Sequence, residues 1–371
     1  MLIRNLYYKI NRTNYLLRKL VWCFCTKLVI YTKKHPIYTA TFEDGHFNSY
    51  VFTYIDINKK LSWIENILVK RSKLLHIDAA TYHTHQFDKP ELFKKPVVLE
   101  CEGCPRDEYL TDERLNKILL ESVSASRELY NKYDKVELSY PSIYPRKKVE
   151  PRDKEYITIL SAGFGAYIKG YDVLYRVYKT LSQRYKIKLI IAGTFGHDYY
   201  SYPEVKPESY ERENFDVISV ELMADPNVTF KPMRRNTLLK SIYPSADIYV
   251  QFSRMETFGF SILEALSFGL PVVSCNFKAI PEMVDHGENG FLVSSNGFDY
   301  ARHDYVVDIN DVAWGNNCYE EGLGYIEQLV QSTELRKRMS AKAYEKVANT
   351  NFNTEKRIMF LEQLYDSYVK A

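Results

Sequence analysis

Residues 247–275 read DIYVQFSRMETFGFSILEALSFGLPVVSC, and the fold class follows from this stretch. Asp247–Phe252 is a short apolar run, which predicts a buried strand. Ser253–Gly259 is the turn after it. Ser261–Phe268 has helical spacing, Gly269 supplies its C-terminal cap and Pro271 its stop. Val272–Cys275 is the next β-branched run. Strand, turn, helix and strand in that order make one βαβ unit with parallel strands. In open α/β sheets, ligands gather where strands end and helices begin. Gly259 permits close backbone approach there, and the amides of a helix start favour an anion such as a phosphate.

Two carboxylates frame this unit. Glu256 sits in the turn, outside the carboxyl end of the strand. Glu264 sits within the helix among Ile262, Leu263, Ala265 and Leu266. A carboxylate on so apolar a helix is costly unless something hydrogen-bonds it, and otherwise it must face solvent on a polar stripe.

The alternation extends in both directions. Towards the N-terminus, Tyr156–Leu160 reads as a strand, Gly163–Gly165 as a tight loop, Tyr171–Arg184 as an amphipathic helix and Lys188–Ala192 as a strand ended by Gly193. Val228–Phe230 adds another strand and Leu238–Tyr243 a helical turn, while His197–Pro207 reads as a loop. The stretch YPSIYPRKKVEPRD (140–153) is rich in proline and charge and reads as a linker. Before it, strands are expected at Lys27–Tyr31, Tyr50–Ile55, Ala80–His85 and Val97–Cys101, with helices at Leu61–Lys73 and Leu110–Asn131. The tail, Asn353–Lys370, reads as one long helix. Two doubly wound α/β domains are the simplest fit.

Glu256 and Glu264 form an E-x7-E pair, and with the residues around them they resemble the retaining glycosyltransferases of family 4. The resemblance continues through Ile280-Pro281-Glu282 and His286–Gly290, and reaches back to Ile190–Gly193 and to Gly163–Gly170 with Lys169. It covers about 156 to 294. It implies a GT-B fold, with two Rossmann-like domains facing a cleft. Residues 1–150 would form a divergent, shortened acceptor-side domain and 151–352 the nucleotide-sugar domain. The helix of 353–371 would cross back to the first domain. In such enzymes the residue at Glu264 holds the donor ribose, that at Glu256 contacts the donor sugar, and Phe258, Gly259 and Phe260 offer backbone amides. Gly163, Gly165 and Gly193 line the donor side. Lys169 would neutralise the departing diphosphate, so no metal and no other cofactor is implied. No Asp-x-Asp motif stands at a strand end, and Asp308–Asp311 reads as peripheral.

Two positions depart from the family. Its phosphate-binding arginine is Phe164 here, with Arg254 or Arg234 as substitutes. In PVVLECEG (96–103), similar to a first-domain strand, Glu102 stands where the family has a histidine beside the reacting carbon. Glu102 then serves either as a hydrogen-bond acceptor for the incoming hydroxyl or as a plain loop residue. His83 and His85, alternate residues of one expected strand, read as scaffold.

The implied reaction moves a hexose from a nucleotide diphosphate-sugar to a hydroxyl of a glycan, polysaccharide or lipid. GDP-mannose is the first choice of donor, ahead of UDP-glucose and UDP-N-acetylglucosamine. Competing readings are a GT-B nucleotide-sugar epimerase, a non-catalytic sugar-nucleotide binder and a membrane-docking scaffold.

Composition bounds these readings. Among 371 residues, 50 Lys and Arg against 47 Asp and Glu leave +3, which argues against a nucleic-acid partner. Six cysteines in so long a chain do not make a disulfide scaffold. Cys101/Cys104 and Cys23/Cys25 read as incidental thiols of a reduced, cytoplasmic protein. Residues 1–34 carry Arg4, Lys9, Arg12, Arg18, Lys19, Lys27, Lys33 and Lys34 and no acid. They read as an ordinary helix with a basic outer face, and they also suit peripheral contact with an anionic membrane. The 32 tyrosines are spread along the chain and mark no single surface.

Overall fold

The structure is a computed structural model. It describes residues 27–32, 41, 47, 49–57, 59–79, 82, 94–101, 105–123, 129, 132–146, 149–150, 154–194, 209–254, 256–294 and 312–369. The chain divides into two compact units, Met1–Tyr144 with Asn351–Ala371, and Pro145–Thr350.

Unit 1 contains a six-stranded parallel sheet: β1 Leu28–Tyr31, β2 Val51–Tyr54, β3 Leu74–Asp78, β4 Val97–Cys101, β5 Lys117–Leu120 and β6 Val136–Leu138. Their order is β2-β1-β3-β4-β5-β6. These strands are near-continuous apolar runs because both faces of the sheet are covered. Helix α1, Trp63–Arg71, begins with a capping box in which Ser62 and Glu65 satisfy each other's backbone amides. Helix α2, Asp107–Thr111, is a single short segment.

Two expectations fail in this unit. The helix expected over Leu110–Asn131 is interrupted by strand β5, where Ile118–Leu120 pair with both β4 and β6. A short run buried on all sides has no period that separates strand from helix. A strand not expected, β3, follows α1 directly; the strand expected over Ala80–His85 lies outside the described residues except for Tyr82, which is helical. Ser72 ends α1 in extended backbone, and the sequence pattern ran past that stop.

Unit 2 holds β7 Ile157–Ala162, α3 Tyr171–Ser182, β8 Ile187–Ala192, α4 Ser209–Ala224 and β9 Val228–Phe230. It continues with β10 Ile248–Gln251, α5 Phe260–Ser267, β11 Val272–Cys275, α6 Ile280–Met283 and β12 Gly290–Val293. Two helices not expected from the sequence, α7 Val312–Gln331 and α8 Thr333–Ala348, close the unit. The parallel sheet has the order β12-β11-β10-β7-β8-β9. The chain winds one way from β7 through β8 to β9, and the other way from β10 through β11 to β12. The order therefore reverses between β7 and β10, which is where a doubly wound sheet opens a crevice at its carboxyl edge.

The last helix, α9 Thr354–Val369, belongs to unit 1, as the expected crossing-back of the tail requires. Its Tyr365 is fully buried and meets Tyr50 edge to face at 5.4 Å. Arg357 bonds the carboxylate of Glu100 on β4, whose other oxygen lies 2.7 Å from His76 Nε2. The ionised carboxylate therefore accepts from Nε2, and Nδ1 lies 2.7 Å from the Tyr365 hydroxyl. Burial raises the Glu100 carboxyl, but the Arg357 charge and the His76 hydrogen bond outweigh it and hold the group at about 2.

Candidate functional site

The turns that leave β7 and β10 meet at the reversal point of unit 2. After β7 the chain runs through Gly163, the exposed Phe164 and Gly165 to Lys169, whose amide donates to Gly165 O at 2.9 Å. A Cβ on Gly163 would come within 3.1 Å of the Lys169 stem, which would have to shift by a few tenths of an ångström. Gly193, at the end of β8, is hemmed in more tightly. A Cβ on it would lie 2.6 Å from Gly163 O and 2.7 Å from the Tyr171 ring. After β10 the chain runs through Ser253 and Arg254 to Glu256. Gly259 then takes a positive φ of 99° and starts α5. The Phe258 ring is buried and packs on Phe260 at 5.2 Å between centroids.

Lys169 Nζ lies 2.6 Å from Glu256 Oε2. The same oxygen accepts from Gln251 Nε2 at 3.0 Å, and Glu256 Oε1 accepts from the Thr257 amide at 3.2 Å. Gln251 is the last residue of β10, and its amide is fully used. Nε2 donates to Ser253 Oγ at 2.7 Å as well as to Glu256, while Oε1 faces the hydroxyls of Ser261 at 2.8 Å and Tyr249 at 2.7 Å. That pattern fixes which end of the amide is oxygen, and so fixes Glu256 as an acceptor. Burial raises the Tyr249 phenol, which therefore stays protonated as a donor.

Glu264 does not face solvent. It is 8% exposed, takes the Arg235 Nε–H at 2.6 Å on Oε1 and the Tyr243 hydroxyl at 3.0 Å on Oε2. These partners answer the burial problem posed by the apolar helix around it. Burial, and next the Glu264 charge, push the Tyr243 phenol well above its ordinary value, so it remains a hydrogen-bond donor.

Arg254, expected beside the donor as a substitute for the missing arginine, is committed elsewhere. Its two terminal nitrogens grip Asp172 of α3 at 2.7 Å each, Nη1 also donates to Tyr167 O, and the guanidinium stacks over Tyr167 and Trp314. It is 7% exposed and braces the β10 turn against α3. Arg234 is exposed at the head of the segment that carries Arg235. Glu102, His83, His85, residues 1–26, His197–Pro207 and Asp308–Asp311 lie outside the described residues. Among the described residues, no group of three or more His, Cys, Asp or Glu side chains is placed to hold a metal ion. No described helix is long and apolar enough to cross a membrane.

Of the residues singled out from the sequence, the structure pairs Lys169 with Glu256 and places Glu264 on α5 against Arg235 and Tyr243. Sequence reasoning missed Gln251, Arg235 and Tyr243. Gln251 carried a signal: a polar residue ending an apolar strand, with Tyr249 two positions before it on the same face.

Residues 145–303, which contain all of these groups, match the family model described as Glycosyl transferases group 1. The second unit carries a glycosyl transferases group 1 domain. The family match lies wholly within unit 2 and includes none of unit 1. An uncharacterized glycosyltransferase of Haemophilus influenzae is 28% identical over 162 residues, 43% of this chain and 40% of its own. An uncharacterized glycosyltransferase of Methanocaldococcus jannaschii is 26% identical over 246 residues, 61% of this chain and 56% of its own. The chain thus spans about half the length of these curated relatives. Across both units, the fold is similar to that of a glycosyltransferase from Rickettsia africae, with a TM-score of 0.63 and 14% identity over 93% of this chain and 99% of that one. The two six-stranded parallel units, one carrying the group 1 domain, are those of the GT-B fold.

Proposed function

We propose that the protein is a retaining glycosyltransferase that moves a hexose from a nucleotide diphosphate-sugar to an acceptor hydroxyl. The observation that carries this reading is the Lys169–Glu256 pair, 2.6 Å apart at the reversal point of unit 2, with Glu264 on the next helix. Before donor binds, Glu256 keeps the Lys169 charge in place. When a diphosphate enters above the start of α5, Lys169 turns to it and Glu256 is released to accept from hydroxyls of the donor sugar. Glu264 accepts from the ribose hydroxyls, with Arg235 and Tyr243 holding its carboxylate in place.

In the step itself, the bond from the anomeric carbon to the phosphate oxygen breaks as the acceptor oxygen bonds the same face of that carbon. The acceptor proton passes to the departing phosphate. Lys169 supports the charge that develops on the diphosphate, so the reaction as proposed needs no metal. No carboxylate serves as a covalent nucleophile.

GDP-mannose is the proposed donor, and a glycan, polysaccharide or lipid hydroxyl the acceptor. Calorimetric titration of the full chain with GDP-mannose, UDP-glucose and UDP-N-acetylglucosamine tests the donor. Glu264→Ala should abolish binding of whichever donor is taken, and undiminished affinity in that variant would overturn the site. Slow release of free hexose from bound donor distinguishes a transferase from a sugar-nucleotide binder, and epimerised donor would indicate the competing epimerase.

A further inference from the structure

Helix α1 of unit 1 carries apolar side chains on the side that faces water. Its buried residues are Leu68 and Val69, and it lies against β1. Trp63, Ile67 and Lys70 recur at intervals of four and three on the opposite side, with Arg71 one turn on from Ile67. Trp63 is 70% exposed and Ile67 38%. Single apolar residues at a surface are ordinary. A tryptophan and an isoleucine exposed together, one turn apart, leave apolar area in water that a partner would remove.

The charge around this face is one-sided. Lys60, Lys70, Arg71 and Lys73 are all exposed. The one acid between residues 60 and 73 is Glu65, whose carboxylate bonds the amide and hydroxyl of Ser62 in the capping box. Lys59 is set against Asp56 at 3.0 Å. Residues 60–73 thus carry a net +3, as much as the formal charge of all 371 residues. Lys95 adds its ammonium at the end of the helix, where Nζ donates to Ser72 O at 2.7 Å. Cations in a last turn complement the helix dipole and need no other purpose. The dipole does not account for Lys60 and Lys73 outside the helix, nor for Trp63 and Ile67 on the face of Lys70. An indole, an aliphatic neighbour and a border of cations match a layer of anionic headgroups over hydrocarbon. A nucleic-acid strand would match the cations but offers no apolar phase to Ile67. We propose that the outer face of α1 docks unit 1 on an anionic lipid surface. Trp63 and Ile67 enter the headgroup layer, and Lys60, Lys70, Arg71 and Lys73 supply the attraction to lipid phosphates. This contact goes beyond the transferase reading and does not depend on it.

Co-sedimentation of the full chain with lipid vesicles tests this. The chain should pellet with vesicles of phosphatidylcholine and phosphatidylglycerol in equal parts, stay in solution with phosphatidylcholine alone, and be released by salt. Lys70→Gln combined with Arg71→Gln should weaken binding to the mixed vesicles about tenfold or more, at about fivefold per charge. Trp63→Ser, which leaves every charge in place, should weaken it about tenfold. All three side chains are exposed, so both variants should keep the circular dichroism of the wild type and match it in donor titration. The proposal is overturned if the mixed vesicles do not bind the chain, or if neutral vesicles bind it equally well. It is overturned too if the charge variant binds as the wild type does, which would move the contact to another basic segment such as residues 1–26. If Trp63→Ser has no effect and an oligonucleotide displaces the vesicles, the face is a general polyanion surface and the lipid assignment fails.

Discussion

Lys169 holds its charge against Glu256 in a partly buried turn, and Gln251 holds Glu256 from the other side. The consequence for chemistry is orientation: the carboxylate has little freedom to follow the lysine when the lysine moves. Replacing Lys169 by Ala should lower kcat by about 10²–10³-fold, the usual effect of removing one group aimed at developing charge. Donor affinity measured by calorimetry should fall much less. Gln251→Leu should cost about 1–3 kcal/mol in urea denaturation, because Ser253, Ser261 and Tyr249 lose their shared partner. It should also reduce kcat/KM in an enzyme that still binds donor. Glu256, Glu264 and Lys169 were legible from the chain because each belongs to a local pattern of turn, helix and glycine. Arg235 and Tyr243 were not, since they reach Glu264 from a segment whose position only the fold decides.

At the scale of the element, the β10–α5–β11 stretch was readable almost to the residue because turn, cap and stop signals agree there. Strands β3 and β5 were not, since each is a short buried run abutting helical sequence with no glycine or proline between. Helices α7 and α8 were not anticipated either. Helix α7 nevertheless closes one side of the sheet, bringing Cys318 to 3.7 Å from Cys275 of β11, sulfur to sulfur. Burial, followed by the neighbouring Cys275, pushes the Cys318 thiol well above its ordinary value. A protonated thiol is a poor nucleophile. Iodoacetamide at neutral pH should therefore leave Cys318 unmodified in the native protein and label it in urea, as read by peptide mass spectrometry. The tyrosine surplus also acquires a meaning at this scale. Tyr171, Tyr243, Tyr249 and Tyr365 lie in the core and send their hydroxyls to Gly163 O, Glu264, Gln251 and His76. They act as apolar filling with a polar tip.

For the whole molecule, stability against acid is tied to the buried carboxylate of unit 1. The Glu100 carboxyl titrates at about 2 in the folded protein, against 4.5 for the ordinary group. A carboxyl lowered on folding stabilises fully above its unfolded value, and that contribution is lost as pH falls through the folded one. Stability measured by denaturant should therefore decline between pH 4.5 and 2. The part of that decline due to this group should vanish in Glu100→Gln. Truncation before Asn351 removes Arg357 and Tyr365 together and leaves Glu100 and His76 buried without them. The expected loss exceeds the about 3–5 kcal/mol of breaking one buried ion pair, because the buried Ile358, Leu361 and Tyr365 go with it. The return of α9 has a further consequence, in the order of events at the ribosome. The strands of unit 1 emerge first, yet the cation that neutralises their buried glutamate is encoded near the end of the message. All of unit 2 must be made in between, about 10–40 s of synthesis at ordinary rates. The later-made domain is thus the first able to finish folding, and the first-made one waits for the last helix.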